Sequence, residues 1–400
     1  MAYNDGMPGI RIQYFRGPVW AKTKEQLKSQ IVEGDNPITG QPVMKELVEK
    51  LTVPLTDKEK NPGELKREVP PATYTGTPAE LQKLFLEKRY TDFMPVILPT
   101  EELVNEMLQA TSHDPDEQLG KMNPGSEAGE TWSYTVKTAA INAVMAGAKP
   151  EYFPVILAIG STGITAVNVS DNGFATGAVI NGAIRDEIGL NYDIGAVGPY
   201  AQANTTIGRA WSLLSINGGN CGKVGTTYMG TVGNPMNAIN IIIAENEEKS
   251  PFEPFSVRRG KVPGFDGKTA DYKKGENVVT ILNGWGILSA ANWKANAWGP
   301  DMDYPQIIKD IYSQQSPGLF GTFVVLSPPI ANFVRDAGYD TVEKLTKFVT
   351  DAGTAKPAPK QGRFMRGNNF HLVVTGASNN NYWMIGGLIP FTSVRIDDWR

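Results

Sequence analysis

The stretch Ile239-Asn240-Ile241-Ile242-Ile243-Ala244-Glu245-Asn246-Glu247-Glu248 decides the fold class. A run of β-branched residues without polar alternation predicts a strand over Ile239–Ala244, buried on both faces and therefore central and rigid. It ends abruptly in three carboxylates and an amide. Working outward, Ala178–Ile180, Val278–Leu282, Thr322–Leu326 and His371–Thr375 read as further strands, the last being the final clear one. Ile164–Val169 is also strand-like. Helical spacing falls between them at Thr205–Ile216, Tyr304–Ser313, Pro329–Ala337 and Asp340–Asp351. Strands alternating with helices predict an α/β fold with mixed or parallel sheets layered with helices. No repeat with a period of about 20–50 residues is visible.

Upstream, Thr77-Pro78-Ala79-Glu80 is a capping box with Pro at the first helical position. Thr100 caps a second helix, and Thr135–Ala146 forms a third that Gly147 closes. Met94–Leu98 is strand-like, and Glu151–Ile159 fits either a helix or a buried strand. Residues 1–76 differ, with scattered charge, frequent Pro and short helices near Lys22–Ile31 and Val43–Leu51. They are expected to form an N-terminal arm and linker, packed on the body or on another subunit or else free. Residues 77–400 form the α/β body, with two lobes dividing near 200–280. The segment Ala352–Gly367 reads as a basic, Pro-rich loop.

Composition bounds the function. The 400 residues carry 38 Lys+Arg against 42 Asp+Glu, a net charge of −4, which argues against nucleic acid as a partner. The single cysteine, Cys221, allows no intrachain disulfide, and with only His113 and His371 a three-His metal site cannot form. A metal, if one binds, would have carboxylate ligands and would be a hard ion such as Mg²⁺ or Ca²⁺. No apolar run approaches the ~20 residues that span a bilayer, so no membrane is expected and the cytoplasm is the default.

Four clusters carry candidate chemistry. Thr111-Ser112-His113-Asp114-Pro115-Asp116-Glu117 offers an imidazole beside carboxylates, and the same residue types also cap a helix junction. Asn204 and Thr205 stand at an expected helix start with Gly208 and Arg209, an arrangement that can hold an anion. Glu245, Asn246, Glu247 and Glu248 leave a buried strand together, where crowding raises a carboxyl pKa. Cys221 lies in the Gly-rich turn Gly218–Lys223 with no His nearby in sequence, so it is expected to be inert. Asn283-Gly284-Trp285-Gly286, with Trp293 and Trp298, and Asn379–Trp383 read as aromatic loops at strand ends that could line a pocket.

Five stretches give the chain a family likeness: TDFMPVILPTEELVNEML with DPDE, AAINAVMAGAKPEYFPVILA, NTTIGRAW, AENEEKSPFEPFSVRRG and VVLSPPIANFVRDAGYDTVEKLTKFV. They resemble the bacterial UGSC-type (seleno)protein-associated family of largely uncharacterised proteins, from about Thr77 to the C-terminus. The resemblance implies an enzyme-like α/β protein working with a thiol or selenol redox partner. This chain departs from the family in lacking a Cys-Gly-Ser-Cys type motif and in carrying the N-terminal arm.

The expected function is a cytosolic, homo-oligomeric enzyme of the lyase or hydro-lyase type, acting on a small anionic or polar molecule by carboxylate acid–base chemistry. Glu245, Glu247 and His113 are the candidate catalytic residues. Asn204, Thr205, Arg209 and Asn246 are the candidate substrate-binding residues. The alternative is a non-catalytic subunit in an assembly with a redox partner. The residues imply no particular cofactor.

Overall fold

The computed structural model describes residues 10–17, 19, 22–61, 73–122, 131–167, 173–224, 227, 232–263, 267, 269–292, 294, 297, 299, 301–315, 321–351 and 370–400. The chain divides into two compact units, Met1–Thr73 and Tyr74–Arg400. In the first, Thr23 caps a short helix, Lys24–Leu27, which runs into one wider turn, Lys28–Val32. A longer helix follows at Val43–Thr52. Polar contacts hold this unit together: Arg11 forks onto Glu59 at 2.7 and 2.9 Å and also donates to the carbonyls of Lys50, Val53 and Pro54. Among its described residues Val43 is the one buried large apolar side chain, while Ile10, Ile12, Tyr14, Phe15, Leu51 and Leu55 are exposed.

The second unit is built on a six-stranded sheet and a two-stranded one. The small sheet pairs β1 (Gln118–Met122) with β2 (Trp132–Thr135) in antiparallel fashion. The large sheet contains β3 (Ala175–Asn181), β4 (Ile241–Ala244), β5 (Val278–Ser289), β6 (Thr322–Leu326), β7 (Phe370–Val374) and β8 (Trp383–Arg395), in the order β4-β3-β5-β8-β6-β7. β3/β4 and β6/β7 are parallel pairs, and the other neighbours are antiparallel. This is a mixed α/β fold.

The sheet curls until its two edges touch. Asn246 N donates to Val374 O at 2.8 Å, and Thr375 Oγ1 donates to Ala244 O at 2.7 Å. All six strands therefore send residues into one enclosed apolar cluster, among them Val179, Ile243, Leu282, Phe323, Val373 and Leu388. Phe255, from the short helix Phe255–Gly260, fills the same space and meets Phe323 edge-on at 5.9 Å. On the opposite face, the helices Val136–Ala146, Phe153–Ser161 and Gln202–Asn217 cover β3, β4 and part of β5. Tyr304–Gln315, Pro328–Asp336 and Val342–Thr350 cover β6, β7 and part of β8.

The two halves follow one plan: a strand, helices, a parallel strand, then a long antiparallel strand. Glu245 N donates to Ile180 O at 3.1 Å, and Thr375 N donates to Leu326 O at 3.0 Å in the equivalent place. β5 and β8 cross antiparallel, with Val278 facing Arg395 at one end and Ser289 facing Met384 at the other. Near the midpoint Gly284 pairs with Leu388, which places an approximate twofold axis there. The backbones approach closely at this crossing. A Cβ on Gly284 would lie 2.0 Å from Gly387 O, and one on Gly386 would lie 2.0 Å from Gly286 O.

Several sequence expectations change. The β4 strand is an edge strand, not a central one; curling of the sheet buries it all the same. Ile164–Val167 carries no strand, and 168–172 lie outside the described residues. Met94–Leu98 joins no sheet, and the 151–159 run is mostly helix, Phe153–Ser161. Asn283–Gly286 lies inside β5 instead of in a loop, and β8 is a further long strand after His371–Thr375. Glycines and a proline in these two strands hid them, because they lower strand propensity wherever they stand. The two expected lobes are halves sharing one sheet, and 352–369, Trp293 and Trp298 lie outside the described residues.

Candidate functional site

The sequence-predicted acidic strand end is a buried polar network. β3 and β4 run parallel, so their carboxyl ends, Asn181 and Glu245, lie side by side on the enclosed face. Gly182 makes the exit turn with φ +95°, and a Cβ there would meet Glu276 O at 2.3 Å. Asn181 Nδ2 donates to Glu245 Oε2 at 2.6 Å and to Glu247 Oε1 at 3.0 Å. Phe255 N, at the start of its helix, also donates to Glu245 Oε2, at 2.6 Å, and Gly182 N donates to Glu247 Oε1 at 2.8 Å.

Arg185 closes the network from the next helical turn. It donates to Glu245 O and to Gly182 O, and grips Glu248 with two bonds of 2.7 and 3.1 Å. Its guanidinium stands 4.9 Å from the Tyr192 ring centroid. The grip of Arg185 holds the Glu248 carboxyl below its ordinary value. Burial instead pushes Glu245 up, against the pull of Arg258. Glu245 Oε1 is buried and has no hydrogen-bond partner. Asn246 serves the edge contact: besides its N–H, its Nδ2 donates to the carbonyls of Tyr192 and Gly376, each at 3.2 Å.

The other expected site residues have separate partners. The helix Gln202–Asn217 begins two to three residues before the expected cap, with Ala201 at the N-cap position. Asn204 and Thr205 are thus helical and not capping residues. Asn204 Nδ2 donates to Ile242 O at 3.0 Å, which ties the helix to β4. Gly208 serves that packing, since a Cβ would meet Asn240 O at 2.2 Å. The helix covers the face of β4 opposite Glu245. Arg209 forks onto Asp92 at 2.8 and 2.9 Å and donates to Pro95 O, with no bond to Glu245 or Glu247 among the described residues.

His113 bridges Glu117 Oε2 at 2.9 Å and Asp398 O at 2.8 Å, and stacks on Trp399 at 4.6 Å. It fastens the C-terminal turn instead of joining the acidic cluster, and these two acceptors raise its pKa. Among the described residues no group of three His, Cys, Asp or Glu side chains is placed to hold a metal. Cys221 is fully buried, and burial pushes its thiol up to about 11, away from the thiolate form.

Sequence reasoning missed Asn181 and Arg185, which organise the carboxylates. An Asn at a strand end followed by Gly was the available signal. It also missed the link from the helix Phe255–Gly260 to β7, where Arg258 Nη2 donates to Leu372 O at 2.6 Å. Arg258 and Arg259, at the end of that helix, and His371 on β7 are half-buried. Burial and both arginines push His371 down to about 3. Among the described residues no helix is long and apolar enough to cross a membrane. No family model matches the chain, and no curated protein does, so function has to be argued from the site itself.

Proposed function

We propose that the chain is an enzyme acting on a small anionic or polar molecule by carboxylate acid–base chemistry, with Glu245 as the proton-holding group. Addition or elimination of water, or cleavage of a carbon–heteroatom bond, requires such a group. The observation that carries the reading is the asymmetry of the Glu245 carboxyl. Oε2 accepts two hydrogen bonds, while buried Oε1 accepts none. With two donors fixed on Oε2, the proton of the neutral acid belongs on Oε1. Burial favours that neutral acid, so the group can give up or take a proton at one defined atom. Asn181 Nδ2 and Phe255 N hold its orientation. Oε1 is sealed, so turnover would require local opening, for which the candidate is the seam where β4 and β7 touch, one residue from Glu245. Arg258 spans that seam by donating to Leu372 O at 2.6 Å.

The test begins with native purification and mass spectrometry of any co-purifying ligand, followed by a turnover assay on it. Glu245→Gln keeps the shape and both donors' partner. It should lose ~10²–10⁴ in rate with the fold intact, the usual contribution of a general acid or base. A variant that melts earlier but turns over at the native rate would reduce the network to a brace between β3, β4 and the helix Phe255–Gly260. A second reading, a cytoplasmic subunit that assembles with copies of itself or with a redox partner, draws support from the exposed apolar side chains of the first unit.

A further inference from the structure

The edges of the large sheet meet at a point where the approximate twofold is broken. Glu245 and Thr375 occupy equivalent places, and so do Asn246 and Gly376. Asn246 N donates across the seam to Val374 O at 2.8 Å. The symmetric mate of that bond would run from Gly376 N to Ala244 O. Instead Thr375 Oγ1 donates to Ala244 O, and Gly376 N donates at 3.0 Å to Tyr192 O. The same carbonyl accepts from Asn246 Nδ2 at 3.2 Å. One backbone oxygen of the segment 191–200 therefore holds a residue from each edge, in place of a direct bond between them.

The segment is fixed at its entry and weakly held beyond it. Asn191 N donates to Asn204 Oδ1 on the helix Gln202–Asn217 at 2.8 Å. The Tyr192 ring centroid lies 4.9 Å from the Arg185 guanidinium, and the Tyr192 hydroxyl donates to Asp186 Oδ1 at 2.5 Å. After Tyr192 the anchors thin out. Asp193 and Lys249 form an exposed pair at 3.5 Å, which contributes little in water. Gly195 turns the chain at φ +74°, Ile194 and Tyr200 are exposed, and Val197 packs against the enclosed apolar cluster. Few buried apolar contacts and solvent-exposed hydrogen bonds give a segment low local stability. The strand β3, by contrast, is buried along its whole length.

We propose that residues 191–200 are a strap that closes the β4–β7 seam, that Tyr192 is its pin, and that lifting it opens the way to Glu245. Release of Tyr192 O frees Gly376 N and Asn246 Nδ2 together. Among the described residues, the bonds left between the edges are those of Asn246 with Val374 O and Gly376 O and of Thr375 with Ala244 O. The purpose of the strap rests on the acid–base reading, but its motion is measured without turnover.

The experiment is amide hydrogen exchange of the full chain, read at single residues with and without urea well below the unfolding midpoint. Asn246 and Gly376 should exchange faster than the amides of β3, at rates that this urea leaves unchanged, as local opening requires. Tyr192→Ala should speed both by ~10-fold or more while β3 keeps its native rates, because it removes a hydrogen bond to a carboxylate and the contact with Arg185. Tyr192→Phe keeps the ring against Arg185 and should speed both by less. Exchange of Asn246 and Gly376 only together with β3 would overturn the proposal, since the seam would then open only when the sheet unfolds. So would native rates at both amides in the two Tyr192 variants. Local opening alongside full turnover in Glu245→Gln would uphold the strap and overturn the acid–base reading alone.

Discussion

At the scale of single residues, the enclosed face holds two groups whose burial acts in opposite directions. Glu245 is pushed up, so the folded chain binds its proton more readily than the unfolded chain, and acid favours the fold through it. His371 is pushed down to about 3 from 6.5, chiefly by burial and then by Arg259 and Arg258. Between those values the unfolded chain holds more protons, so stability rises with pH. It is fully present above about 6.5 and is lost as the pH falls toward 3. His371→Asn removes this dependence and leaves that of Glu245. Urea midpoints taken near pH 7.5 and pH 5 should therefore fall less in the variant than in the native chain. The difference should be on the order of 1 kcal/mol after allowance for solvent around a half-buried ring. Equal losses would mean that His371 takes up its proton in the folded state.

At the scale of elements, the crossing of β5 and β8 is what lets the sheet close on itself. Gly284, at φ +154°, and Gly286, at φ +113°, lie in β5 where Gly386 and Gly387 of β8 pass against them. A side chain here collides with backbone, which cannot rotate away. Gly284→Ala should cost about 3 kcal/mol or more, at the upper end for a single methyl, because the crossing must open to admit it. Denaturant unfolding would check this, with Gly338→Ala as a control. Gly338 also has a positive φ, +98°, but a Cβ there meets no atom within 4 Å. A similar loss in both variants would assign the cost to backbone strain and not to the close approach.

At the scale of the whole molecule, the two units differ in what they bury. Tyr74–Arg400 has three apolar clusters of its own, whereas the first unit exposes most of its large apolar residues. A chain beginning at Tyr74 should keep a cooperative thermal transition within a few degrees of the full chain. If the exposed row in 10–55 serves self-assembly, the shortened chain should also have a smaller particle mass by light scattering. An unchanged mass with unchanged solubility would remove the arm from assembly.

The sequence by itself determined the local elements that carry their own signals. Thr77 and Thr100 cap helices at the expected positions, and Thr322–Leu326 is a strand with the expected bounds. The α/β class follows from such alternation, and the isoleucine run marks the strand that presents Glu245. These features depend on hydrogen bonds and side-chain spacing within a few residues, so one stretch of chain suffices to read them. Only the tertiary structure decided that β4 lies at an edge, that the edges meet, and that Asn181, Arg185 and Phe255 organise the carboxylates. It also sent Arg209 to Asp92 and His113 to the C-terminal turn, and brought Arg258 and Arg259 within electrostatic range of His371. Burial and charge pairing depend on which segments curl together over separations of tens to hundreds of residues. An Arg beside a Glu in sequence carries no mark of which face of the sheet it will share.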